Sequence, residues 1–228
     1  MNPAPSAPLD VAALYRSFNA PVTALDCGRM CAPHNPSGKP FCCDICHSVP
    51  VAYPPEWDYA RANTDLWHVW RGDECESEPC DPSVLREETP ASMLLLACKG
   101  PALCQRDFRS ISCRQFPFFP YVTSDYRAIG LAFTWTFESV CWVISNLDQV
   151  TETYRAEFVR FYDRLFDLMP DELESYMLLS EEMREAFEDR RRRIPILHRN
   201  GGYYLLSPRS ERLTRVSPAH FPRFGPYR

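Results

Sequence analysis

Glycine is scarce in this chain, with 8 residues among 228. Nucleotide-binding folds rely on glycine-rich loops that let the backbone approach a phosphate, and the sequence has no such loop. It also lacks the HExxH motif of zinc proteases and the GxSxG motif of serine hydrolases. These absences argue against a dinucleotide fold and leave no recognisable catalytic signature.

Long apolar runs are also missing. The longest apolar cluster, residues 128–144, is interrupted by Thr134, Thr136 and Glu138, so nothing approaches the roughly 20 apolar residues that span a bilayer. The first residues, MNPAPSAPLD, lack the basic and apolar regions of a secretory signal. We therefore expect a cytoplasmic protein without membrane spans. The formal net charge of −5 gives no general bias toward nucleic acids or anionic membranes.

Cysteine, in contrast, is abundant, with 11 residues. In a secreted chain this density would predict a disulfide framework, but the count is odd and no export signal is present. Cytosolic thiols stay reduced, so the same density favours binding of a metal ion or an iron–sulfur cluster.

The secondary-structure pattern is typical of a mixed α+β protein. Apolar runs predict strands at Ser92–Cys98 and Tyr126–Phe137, and residues 194–199 and 203–207 flank an Asn200-Gly201-Gly202 turn that predicts a hairpin. Apolar residues at three- and four-residue spacing predict a helix over Val150–Met169, and Pro170 starts another. We also expect one helix over Glu56–Trp70, or two short ones with Thr64 capping the second, and a further helical turn capped by Ser180.

We expect three segments: a loose leader at 1–21, a cysteine-cluster domain at 22–145, and a helical cover with a basic hairpin and tail at 146–228. The fold class that follows is a small irregular cysteine-rich metal core with short strands, covered by C-terminal helices and forming one compact unit with them. Residues 190–228 contain 10 arginines against one acid, Glu211. Packing of this tail on the acidic helices is the favoured interpretation, and binding of nucleic acid is the less favoured alternative.

Two separated segments carry the candidate metal ligands. Thiolates are preferred ligands of zinc and of iron–sulfur clusters. Cys42 and Cys43 are adjacent, so both can serve one site only if the backbone turns there. The eight candidate ligands are Cys27, Cys31, Cys42, Cys43, Cys46, Cys98, Cys104 and Cys113.

The order of these cysteines resembles the YkgJ-like cysteine-cluster family, also called the CxxCxxCC zinc- or iron-chelating domain. The resemblance covers roughly residues 27–118 and rests on Cys27, Cys31, Cys42 and Cys43, then on Cys98, Cys104 and Cys113-Arg114-Gln115-Phe116-Pro117. Ser110 stands where the family usually has proline after Arg109, and the early cysteine spacing is longer than usual. The resemblance implies zinc or iron chelation, and no reaction.

Several neighbouring residues have open roles. Arg109 and Arg114 either offset thiolate charge or form ordinary surface contacts. Cys75 and Cys80 are weaker candidates for the site, and His34, His47 and His68 are expected to be ordinary histidines. Cys141 is expected to be buried as a small apolar residue, and Phe116, Phe118, Phe119 and Tyr121 to pack in a core.

An enzyme is the alternative function. The same cysteine domain resembles part of the flagellin lysine methylases, although the chain shows no methyl-donor loop.

Overall fold

This computed structural model describes residues 9–75 and 82–228, which form two compact units. The cysteine unit comprises Leu9–Asn19 and Asp26–Phe116, and the sheet unit comprises Ala20–Leu25 and Pro117–Arg228. The boundary therefore falls at residue 116, whereas the sequence suggested 145. The first eight residues of the leader, and Cys80, lie outside the described residues.

The chain is a mixture of helix and sheet, which confirms the α+β class. The helices are α1 (Val11–Ser17), α2 (Cys27–Cys31), α3 (Pro54–Asn63), α4 (Pro82–Glu88), α5 (Ile111–Gln115), α6 (Glu152–Leu168) and α7 (Pro170–Asp189). The strands are β1 (Val51–Ala52), β2 (Trp67–Val69), β3 (Leu94–Cys98), β4 (Phe118–Val122), β5 (Ala128–Phe133), β6 (Ile194–His198), β7 (Tyr203–Leu206) and β8 (Leu213–Val216).

The cysteine unit is built around the predicted strand β3, which lies between β1 and β2 in an antiparallel sheet. Successive strand residues face opposite sides, and both sides of β3 are covered. Leu96 packs with Ala60 and Trp67 on one side, and Leu95 packs with Trp70 on the other. This double burial explains why the strand reads as a continuous apolar run.

The helix expected over Glu56–Trp70 is only half correct. Helix α3 ends at Asn63, and Thr64 adopts an extended conformation (φ −152°, ψ 156°). The chain then forms β2, whose Trp67 pairs with Cys98. The aromatic spacing that suggested a second helix instead places Trp67 and Trp70 in the two apolar clusters beside β3.

The sheet unit contains a five-stranded antiparallel sheet in the order β4-β5-β6-β7-β8. The predicted β6–β7 hairpin is confirmed, with Gly201 and Gly202 at φ 86° and 83° in its turn. Strands β4 and β8 were not anticipated. Phe118, Phe119 and Tyr121 on β4 are buried as expected, and Cys141 is buried in the same unit.

Helices α6 and α7 pack on β4 and β5. Thr151 caps α6 by accepting a hydrogen bond from the Tyr154 amide, and the predicted apolar stripe is buried. Ser180 does not cap a new helical turn, because α7 runs unbroken from Pro170. Its hydroxyl instead donates to the Tyr176 carbonyl (2.7 Å) and accepts from the Val122 amide on β4 (3.0 Å).

Nowhere in the described ranges does a helix have the length and apolarity needed to cross a membrane.

We expect Ser180→Ala to destabilise the sheet unit. The change leaves the buried Val122 amide without an acceptor, which costs about 1–3 kcal/mol. Ser175 is the matched control, since it makes the same type of bond to the Asp171 carbonyl but is exposed. Urea unfolding should show the loss for Ser180→Ala and almost none for Ser175→Ala. Equal stability of the two variants would contradict the assignment.

Candidate functional site

The first two candidate ligands lie on the short helix α2. Asp26 caps this helix by accepting a hydrogen bond from the Gly28 amide. Cys27 and Cys31 are four residues apart, which places them on one helical face. Gly28 is required because a β-carbon there would lie 2.9 Å from the Pro40 ring. The tight packing brings α2 against the segment that carries the next two cysteines.

Cys42 and Cys43 occupy a 3₁₀ turn, Phe41–Cys43. The backbone therefore does turn here, which is the condition for two adjacent cysteines to serve one site. Their sulfur atoms lie 3.9 Å apart. The following loop is held by the buried Asp44, whose carboxylate accepts bonds from Asn35 and Ser37. Sequence reasoning overlooked this network, although aspartate and asparagine are frequent residues in turns of this type.

The second segment presents its cysteines from three places. Cys98 ends β3, and its sulfur accepts a hydrogen bond from the Gly100 amide (3.4 Å). Cys104 follows a 3₁₀ turn, and Cys113 lies on α5. Ser110 caps α5 by accepting a bond from the Cys113 amide, so serine has a specific use at this position.

The two segments come together in the structure. The charge of the Cys43 thiolate raises the pKa of both Cys98 and Cys113, adding to the effect of burial. It also raises the pKa of Cys31, which burial raises first. Cys98 and Cys113 pack against the same apolar cluster beneath the site. Cys43 of the first segment therefore lies within electrostatic range of Cys98 and Cys113 of the second, and we call these three residues together with Cys42 and Cys104 the thiol cluster.

The thiols of this cluster differ in acidity. A hydrogen bond from Cys42 and the charge of Arg109 lower the pKa of Cys43 to about 7, despite burial. Burial and the neighbouring Cys43 and Cys98 thiolates raise the pKa of Cys113 to about 12. At neutral pH the cluster thus combines one acidic thiol with a protonated one.

Arg109 is the cation of the cluster. Its Nε donates a hydrogen bond to the Cys104 sulfur at 3.0 Å. Burial alone would lower its pKa, but the bond to Cys104 and the charges of Cys113 and Cys43 raise it. Of the two roles left open by the sequence, Arg109 therefore takes the one that offsets thiolate charge.

Cys46 departs from the expected ligand set, because it forms a disulfide with Cys75 (Cα–Cα 5.0 Å). The expectation of uniformly reduced thiols is wrong for this pair. Ile45 packs against the apolar cluster that contains Trp70, which brings the two loops together. A disulfide sulfur is not a thiolate ligand, so Cys46 is unavailable in this state.

The thiols do not form a finished coordination sphere. Within residues 9–75 and 82–228, no group of three or more histidine, cysteine, aspartate or glutamate side chains is close enough to hold a metal ion. His47 stacks on Phe41, and His68 bonds the Glu74 carboxylate.

Arg114 contacts helix α1 and several backbone carbonyls. Its guanidinium lies 4.2 Å from the ring centre of Tyr15 and donates to the carbonyls of Tyr15 and Phe18. It also donates to the carbonyls of Arg106 and Asp107. Arg114 thereby fixes α1, which lies within the predicted leader segment, to the loop between Cys104 and Cys113.

Glu56 also connects α1 to α5. The carboxylate is almost fully buried and accepts hydrogen bonds from the Tyr15 hydroxyl and the Ile111 amide, both at 2.8 Å. Burial raises the pKa of Glu56, while these bonds and the charge of Arg114 oppose the shift. The carboxylate also accepts a local bond from the Tyr53 amide at the start of α3, but no periodic pattern signals the partners that lie 41 and 55 positions away.

We expect Arg114→Lys to release α1. Lysine cannot reproduce the forked donor geometry, and breaking a buried charged network costs about 3–5 kcal/mol. Hydrogen exchange should therefore accelerate at the α1 amides. Arg106→Lys is the control, since exposed Arg106 bonds the Asn19 carbonyl from a single nitrogen. Unchanged α1 protection in Arg114→Lys would refute the anchor.

We also expect trypsin to yield peptides 30–61 and 72–86 joined by the Cys46–Cys75 disulfide when the protein is digested without reductant. Mass spectrometry should show this joined species lost in Cys46→Ser and Cys75→Ser. Cys80→Ser is the matched control, because Cys80 lies in the same peptide as Cys75. Retention of the species in Cys75→Ser would contradict the pairing.

Comparison of this chain with protein-family models, with curated proteins and with solved structures found no match.

Proposed function

We propose that the cysteine unit binds a zinc ion or an iron–sulfur cluster through its thiolates. The proposal is supported by the packing of Cys98 and Cys113 against one apolar cluster, and by the position of Cys43, distant in sequence, within electrostatic range of both. Convergence of this kind is the first requirement for a shared inorganic centre.

The spacing of the adjacent pair supports the same conclusion. Two thiolates bound to one tetrahedral zinc, at bonds of about 2.3 Å, have their sulfur atoms about 3.8 Å apart. The Cys42 and Cys43 sulfurs are separated by 3.9 Å. This pair therefore fits two corners of such a site without rearrangement of the turn.

The proton state of the thiols also fits. A metal ion deprotonates a coordinating thiol outright, so Cys113 with its raised pKa would release a proton on binding. Several thiolates in a half-buried site repel one another, and the Arg109 guanidinium reduces that repulsion from its position on Cys104.

The proposed ligands are the seven sequence candidates that remain outside the disulfide: Cys27, Cys31, Cys42, Cys43, Cys98, Cys104 and Cys113. Four of them suffice for zinc, and a cluster also takes four cysteines. The role we propose is structural, redox or metal handling. We place the protein in the cytoplasm, where thiolates stay available, and the Cys46–Cys75 disulfide is then the exception.

Anaerobic purification followed by elemental analysis tests the proposal. We expect stoichiometric metal in the wild-type protein, with broad visible absorption for an iron–sulfur cluster and no colour for zinc. Cys43→Ala and Cys113→Ala should each lose most of the metal. Cys141→Ala is the control, because Cys141 is buried in the sheet unit and belongs to no candidate site.

Metal-free wild-type protein, after growth with both iron and zinc supplied, would overturn the proposal. So would equal metal content in Cys43→Ala and Cys141→Ala.

A further inference from the structure

The two edges of the five-stranded sheet differ in accessibility. All five residues of edge strand β4 are buried, its centre is Pro120, and the Val122 amide is bonded by Ser180. On the opposite edge strand, β8, the consecutive residues Thr214 and Arg215 are both exposed. Consecutive strand residues face opposite sides, so β8 is uncovered on both sides at this point.

The backbone of β8 offers hydrogen-bonding groups along this edge. Glu211 donates to the Ser207 carbonyl, and Ser207 donates to the Arg212 carbonyl, which together form a β-bulge with Glu211 in the left-handed region (φ 51°). In an antiparallel pair, successive residues alternate between bonding the neighbouring strand and facing away from it. The amide and carbonyl of Leu213 and of Arg215 therefore point away from β7. No loop or turn within the described ranges forms a backbone bond to these groups.

The edge is also positively charged. Arg212 and Arg215 are exposed, and neither forms an ion pair with any residue that the structure describes. Two acidic residues of this unit already pair with other arginines, Glu211 with Arg184 (2.8 Å) and Glu188 with Arg209 (2.6 Å). Part of the basic tail thus packs on the acidic helix α7, as the sequence suggested, while β8 keeps unpaired positive charge.

We propose that the β8 edge binds an extended acidic segment of a partner protein, which adds to the sheet as a sixth strand. Main-chain bonds to Leu213 and Arg215 supply the attachment, and carboxylates of the partner pair with Arg212 and Arg215. Arginines at a sheet edge also disfavour pairing between two copies of the protein, because their charges repel one another. An acidic strand is attracted by the same charges.

An extended peptide fits this edge better than an RNA strand. The edge presents alternating amide donors and carbonyl acceptors, which a peptide backbone matches and a phosphate backbone, having only acceptors, does not.

The test measures fluorescence anisotropy of a labelled eight-residue peptide of repeated Glu-Glu-Val-Val (the Glu–Val peptide), which places carboxylates on both faces of an extended strand, added to the intact protein. We expect saturable binding. The same peptide with every backbone amide N-methylated keeps its charge but cannot donate main-chain hydrogen bonds from either edge, so its binding should be lost. A Lys–Val peptide and a uridine oligonucleotide of equal length should bind at least about tenfold more weakly.

Variants place the site on β8. Arg212→Glu with Arg215→Glu should weaken binding of the Glu–Val peptide by about tenfold or more and strengthen binding of the Lys–Val peptide. Arg223→Glu is the matched control, since Arg223 is exposed and outside any strand. Equal binding of the N-methylated peptide, stronger binding of the oligonucleotide, or no peptide binding at all would each overturn the proposal.

Discussion

The cysteine unit depends on a pair of buried charges. Glu56 and Arg114 both contact Tyr15; burial raises the pKa of Glu56 and lowers that of Arg114, and the charge of each residue opposes the shift of the other. The hydrogen bonds of this pair hold α1 and the loop that carries Cys104 and Cys113. A unit with short strands and many turns has little regular structure to orient such loops, so a satisfied polar network takes over that role.

This anchor has a direct consequence for the thiols. Arg114 stays with backbone carbonyls, which leaves Arg109 as the guanidinium that bonds Cys104. Cys98 and Cys113 pack against the apolar cluster around Leu96 and Trp67, which therefore lines one side of the thiol cluster. A metal bound here would link the turn of Cys42 and Cys43 to β3 and α5, and the Cys46–Cys75 disulfide holds the same turn from its other end.

The sheet unit has a core of aromatic side chains from α6 and β4, and the two edges of its sheet differ in accessibility. A buried strand with a central proline closes one edge, while a short strand that carries Arg215, with Arg212 directly before it, forms the other. Sheet proteins normally block both edges, because open backbone groups recruit other strands. The open edge is therefore the part of this unit that is suited to selective pairing.

The sequence by itself determined the α+β class, the strand ending at Cys98, the helix following Thr151 and the hairpin around Gly201, because each depends on local periodicity or turn chemistry. It also indicated the cysteines that we propose as ligands. Only the tertiary structure decided that Arg114 holds α1, that Cys46 pairs with Cys75 and that Ser180 bonds β4. These contacts join residues that are distant in the chain, and no local pattern encodes which distant partner a buried donor or sulfur will meet.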